Sequence, residues 1–120
     1  MKYEATNINE VRLEASKLGA ILWRNNTGAA KDITGRIIRY GLANESKRMN
    51  EEVKSSDLIG MTAEGKFLAI EVKREGWVYS GTPREKAQQR FLRLVNKQGG
   101  TAFFCSNAAH VAGFMEVKIK

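Results

Sequence analysis

Cysteine and histidine each occur once in the 120 residues, and each scarcity closes off a class of function. The single Cys105 lies in the apolar run Ala102-Phe103-Phe104-Cys105, so it reads as a small buried hydrophobe, neither a disulfide half nor a nucleophile. A reducing compartment fits. The single His110 excludes His-rich zinc sites and nuclease motifs in which imidazole is the base. No apolar run approaches the roughly 20 residues a bilayer span needs, and no basic start leads into an apolar core. A soluble, cytoplasmic protein is expected, with no membrane partner. Acidic residues are also short: thirteen against twenty Lys and Arg give a formal charge of +7, which favours a polyanionic partner. There is no internal repeat, low-complexity tract or linker, and a hydrophobic content of 42% predicts one domain, residues 1–120, around one core.

What is present is concentrated in residues 55–76, SSDLIGMTAEGKFLAIEVKREG. Two short apolar runs, residues 58–62 and 66–73, flank Ala63-Glu64-Gly65 in the pattern of a β-hairpin. With a period of two, Phe67, Ala69, Glu71 and Lys73 share one face of the second strand, and Leu68, Ile70 and Val72 share the other. This strand should be buried on both sides until its charged end. A carboxylate and an ammonium there are costly unless paired or compensated. Asp57, at the head of the first run, can bring a second carboxylate to the same corner. Two converging carboxylates repel, and a divalent cation between them relieves the repulsion with the hard oxygen ligands that Mg²⁺ prefers. The plainer alternative is a Glu71–Lys73 surface pair on an edge strand.

Around this hairpin, residues 7–17 carry Ile8, Val11, Ala15 and then Leu18 at helical spacing, with Asn7 as N-cap and Gly19 as stop. Glu10 and Glu14 lie on one ridge beside that stripe. Residues 20–23 form a short apolar strand leading into the polar turn Arg24-Asn25-Asn26-Thr27-Gly28. Residues 36–40, RIIRY, read as a half-exposed strand ended by Gly41, and residues 44–54 as a polar loop or a frayed helical turn. Thr82, Pro83 and Glu85 have the spacing of N-cap, N1 and capping-box partner for a helix running to about Gln98. Its inward stripe should be Ala87, Phe91, Leu94 and Val95, with Gln88 close to that seam. Arg84, Lys86, Arg90, Arg93 and Lys97 make the outer surface basic and suited to phosphate contact. Residues 101–106 are nearly all apolar, as in a central or parallel strand with this helix as crossover. Residues 107–112 suggest a short helix capped by Asn107, and the alternation of residues 115–119 suggests a terminal strand.

Four segments occur in order: Trp23-Arg24-Asn25-Asn26-Thr27-Gly28, Ser56-Asp57-Leu58-Ile59-Gly60, Glu71-Val72-Lys73, and a helix bearing Gln88 and Gln89 that stops at Gly99-Gly100. Together they resemble the virus-type replication-repair nuclease (VRR-NUC) domain of the PD-(D/E)XK nuclease superfamily. The one departure is Lys54-Ser55 before the Ser-Asp pair, where such proteins often carry Gly or Pro. The resemblance implies an α/β, restriction-endonuclease-like αβββαβ core with a mixed central sheet flanked by helices. It further implies Mg²⁺, or Mn²⁺ in its place, held by Asp57, Glu71 and the Val72 carbonyl. Lys73 would orient the attacking water, Gln88 or else Gln89 would position water or phosphate, and Glu10 or Glu14 of the first helix could join through water, with Glu10 preferred. Arg24, Asn25, Asn26, Lys31, Arg84, Lys86 and Arg90 would contact DNA. Stand-alone viral members are associated with four-way junctions. A phage or viral homodimer resolving branched DNA is therefore the expectation, with a flap- or branch-directed nuclease and a non-catalytic DNA-binding module as alternatives.

Overall fold

The computed structural model describes residues 2–119, with side chains to Glu116. A first helix, α1 (Glu4–Lys17), leads into strand β1 (Ile21–Arg24). A ribbon of β2 (Gly28–Lys31) and β3 (Ile37–Tyr40) follows, then a short helix α2 (Lys47–Glu52). Next come the hairpin β4 (Leu58–Met61) and β5 (Phe67–Val72), the crossover helix α3 (Pro83–Lys97) and β6 (Thr101–Cys105). A 3₁₀ turn (Ala108–His110) runs into the last helix, α4 (Val111–Ile119). The main sheet has the order β1-β4-β5-β6. Its β1/β4 and β4/β5 pairs are antiparallel and its β5/β6 pair is parallel. Stripped of the β2–β3–α2 insertion, the chain is the mixed-sheet αβββαβ core that the motifs imply.

The two faces of β5 divide the core. Leu68, Ile70 and Val72 pack with Ile8, Val11 and Ala15 of α1 and with Leu22 and Leu58. Ala69 looks the other way, with Ala102, onto Phe91, Leu92 and Val95 of α3. Contrary to the expected stripe, Leu94 is exposed and Leu92 takes the inward place, which turns the buried face by roughly half a helical step. Gly60 lets β1 and β4 come together, because a Cβ there would collide with the Ile21 carbonyl oxygen. The turn of the hairpin is closed by Gly65, which donates to the Thr62 carbonyl and has a φ of 82°.

Three local expectations are corrected. Asn7 is not the cap of α1: the helix begins at Glu4, and Asn7 is buried inside it, donating to the carbonyls of Lys73 (2.8 Å) and Ser106 (2.9 Å). Residues 115–119 do not form a strand. They continue α4, in which Val111 enters the α1 core and Phe114 meets Phe103 with ring centroids 5.0 Å apart, a helical spacing hidden under a five-residue alternation. Residues 28–31 form β2 where only a polar loop was read, since their small side chains carry no apolar period.

Candidate active site

The β4–β5 register explains why a spacer of this length brings Asp57 and Glu71 together. Leu58 lies opposite Ile70, so one further step sets Asp57 beside Glu71 on the α3 face. Asp57 Oδ2 accepts the Val72 N–H at 3.0 Å, and the Asp57 carbonyl accepts the Asn25 N–H at 2.7 Å. The Asn25 amide donates to Ser55 Oγ (2.8 Å) and the Ser56 carbonyl (2.9 Å), so Asn25 clips the loop that carries Asp57. Its side-chain hydrogens are therefore taken inside the protein.

The strand stays buried through its charged end, which sets aside the surface-pair alternative: Glu71 is 4% exposed and Lys73 is 9% exposed. Gln88 joins them, accepting from Lys73 Nζ at 2.8 Å and donating to Glu71 Oε2 at 3.3 Å. Lys73 Nζ lies 4.0 Å from Glu71 Oε2 and sits over the rings of Trp77 (5.3 Å) and Phe104 (5.7 Å). The ammonium is thus held by an amide, a carboxylate and two π faces in place of water. Burial pushes the Glu71 carboxyl up to about 9, and the neighbouring Asp57 carboxyl pushes the same way. Lys73 pulls it down without prevailing, and Glu4 adds a smaller upward push. Two acids share a buried corner with too little positive charge between them.

This corner floors a polar cleft of about 270 Å³. The VRR-NUC domain family model matches residues 2–109. The chain belongs to the VRR-NUC family. It is thereby a nuclease of the PD-(D/E)XK type, a hydrolase whose polyanionic partner is DNA. Searches of curated proteins and of solved structures gave no match. PD-(D/E)XK nucleases generally use divalent metals. Among the described residues, no group of three or more His, Cys, Asp and Glu converges. In this VRR-NUC domain the side chains at the corner supply two carboxylates, Asp57 and Glu71.

Other residues singled out in the sequence lie elsewhere. Glu10 pairs with Lys2 Nζ at 3.0 Å and Glu14 with Lys17 Nζ at 3.0 Å, both in exposed ion pairs. The α1 acid whose charge reaches Glu71 is Glu4, missed because the helix was started three residues late. Gln89 is turned toward Tyr79, whose hydroxyl it accepts at 3.0 Å. Of the DNA-contact candidates, Asn25 and Arg84 line the cleft, while Arg24, Asn26, Lys31, Lys86 and Arg90 are exposed outside it. Arg90 donates to the Glu52 carbonyl at 2.8 Å and ties α3 to α2.

The sequence reading also missed two cations in the wall of the cleft, Arg39 and Lys54. Arg39 is oriented by the buried Asn44, donating to its carbonyl (3.0 Å) and its Oδ1 (2.7 Å). Asn44 in turn donates to the carbonyls of Gly28 and Tyr40, both at 2.9 Å, which fixes the ribbon over the cleft. Burial holds the Lys54 ammonium below its ordinary pKa, and Arg84 and then Arg39 push it further down against Glu51. The signal for Lys54 was its position as the departure from the family pattern. For Arg39 there was none beyond strand alternation.

Proposed function

We propose that this VRR-NUC domain is a Mg²⁺-dependent, structure-specific DNA endonuclease that acts as a homodimer on four-way junctions. The observation that carries the reading is the corner itself: Asp57, Glu71 and Gln88 line a cation-walled cleft, and Gln88 bonds both Glu71 and the buried Lys73. The donor set fits a divalent cation. Its oxygens are hard, and the upward push on Glu71 is what a cation between two acids would relieve. Asp57, Glu71 and the Val72 carbonyl would hold Mg²⁺, or Mn²⁺, whose Lewis acidity would polarise the scissile phosphate and acidify water.

The remaining work falls to the chain. Lys73 presents a compact positive charge to the attacking water and to the charge that grows on the phosphoryl oxygens, and Gln88 keeps it aimed. The rings of Trp77 and Phe104 exclude bulk water from its other side. Glu10 is the weaker member of the expected set, since its carboxylate is engaged by Lys2. DNA strands are drawn in by the basic surface of α3 and the Arg24–Lys31 segment.

A strip of exposed apolar residues supports a second copy. Ile21, Met61 and Phe67 are neighbours across β1, β4 and β5, and Trp23 stands one step nearer the acidic corner on the same face. Four large side chains left near half-exposed amount to roughly 300–400 Å², within the range of the largest apolar patch on a typical monomer, which is often a functional one. Cleavage of labelled duplex, flap, fork and four-way junction DNA in Mg²⁺, Mn²⁺, Ca²⁺ and chelator tests the reading. Paired symmetric cuts in junctions with Mg²⁺ or Mn²⁺, and binding alone with Ca²⁺, are expected. Preference for flaps would replace the resolvase by a branch-directed nuclease. Cleavage of nothing in any metal would leave a DNA-binding module.

A further inference from the structure

Three cations, Arg39 of β3, Lys54 of the loop before β4 and Arg84 in the first turn of α3, line the same cleft as Asp57 and Glu71. None of the three is within ion-pair distance of a carboxylate among the described residues. Arg39 is held by Asn44, and Lys54 donates to Asn50 Oδ1 and is fixed at its backbone by a 3.1 Å bond to the Ala87 carbonyl. Their arrangement works against local stability. Arg84 puts a positive charge at the positive end of a helix dipole, and Lys54 is crowded by both arginines. Like charges gathered at a cost, on three separately anchored elements, form an anion site.

The scissile phosphate belongs over the two carboxylates, which cannot themselves attract it. The cationic wall stands on different elements, from the ribbon and α3, and carries more positive charge than one phosphodiester needs. We propose that Arg39, Lys54 and Arg84 form a second phosphate subsite, which grips the internal backbone phosphate next to the one cleaved and sets the strand's register over Asp57 and Glu71. The ligand is an ordinary bridging phosphodiester within a strand. The subsite deepens the nuclease reading and rests on it for its place in catalysis.

The test neutralises the ligand as well as the protein. In a four-way junction, and in the best-cleaved substrate if that is another, single methylphosphonates are walked over the three phosphates on each side of the cleaved one. For the wild-type chain, one adjacent position should slow cleavage about 10-fold or more, the effect of losing a charge-assisted contact. Arg84→Met and Lys54→Met should each lose a similar factor on unmodified DNA, and should lose little more when that same phosphate is neutral. Arg39→Gln, which keeps a donor for Asn44, guards against a folding artefact. Equal rates at every modified position, or variants as sensitive to the modification as the wild type, would overturn the subsite while leaving the nuclease standing. If the wild type cuts nothing, the nuclease reading falls, and binding decides the subsite: the slope of log affinity against log salt should drop by about one for each cation removed. An unchanged slope overturns it.

Discussion

Glu71 is the residue on which charge, burial and register meet. Its carboxyl needs deprotonating to serve as a ligand, yet burial and Asp57 hold its pKa at about 9 in the metal-free chain. An acid whose folded-state pKa stands above its ordinary value of 4.5 contributes stability that is complete below that value and is lost as pH rises toward about 9. Metal-free protein should therefore lose thermal stability between about pH 5 and pH 9, and Mg²⁺ should restore it most at the alkaline end. Glu71→Gln should flatten both dependences, and a metal-free melting temperature as pH-sensitive in Glu71→Gln as in wild type would refute the assignment. For activity, Asp57→Ala and Glu71→Ala should each abolish cleavage and leave DNA affinity within a few-fold of wild type, because affinity comes from cations elsewhere. Turnover near wild type in either variant would show that the corner is not the active site. These two acids were legible through the ordered VRR-NUC motifs on a recognisable hairpin, and the register of that hairpin is what sets Asp57 beside Glu71. Arg39 and Lys54 were not, since only the folded insertion brings residues from the ribbon and the preceding loop to one wall.

At the scale of elements, α3 is where sequence and structure agree most closely. Thr82 caps it, Pro83 opens it and Glu85 closes the capping box, all within four residues, so no tertiary information was needed. Glu85 does more than cap. It accepts from Trp77 Nε1 (2.8 Å), and from the backbone N–H groups of Ser80 and Thr82, which pins the segment between β5 and α3 and sets Trp77 under Lys73. The backbone bond from Thr82 leads the interactions that hold the Glu85 carboxyl down at about 2. This contribution is complete above the ordinary value of 4.5 and disappears as pH falls toward about 2. Thr82→Ala should cost about 1 kcal/mol in urea denaturation. Trp77→Ala should lower kcat more than it changes KM, with Trp77→Phe recovering much of the loss, because the ring positions Lys73 and touches no substrate. A loss in KM alone would make Trp77 a DNA contact. The ends of the chain were harder to read: Asn7 has the chemistry of a cap and of a buried clamp alike, and five alternating residues cannot distinguish a strand from one and a half helical turns.

At the scale of the molecule, the sheet has an acidic corner at one end of its α3 face and an apolar strip running away from it along β1 and β4. The helix α3 covers the β5–β6 half of that face, which leaves Ile21, Trp23, Met61 and Phe67 between 40% and 52% exposed. Two such strips joined about a two-fold axis, with a polar rim, approach the roughly 1,000 Å² that a specific dimer needs. The same junction would carry two acidic corners into one assembly, which is what two cuts in a two-fold substrate require. Light scattering on the wild-type chain should give the mass of a dimer. Trp23→Glu should give a monomer, and because Trp23 is 50% exposed its circular dichroism and melting should change little. That monomer should still cut a single strand in Mg²⁺, since each corner is built within one chain, but its paired cleavage of four-way junctions should fall at least 10-fold relative to nicking. A dimeric Trp23→Glu would move the interface elsewhere, and a monomeric wild type that resolves junctions as well as any dimer would remove the need for one.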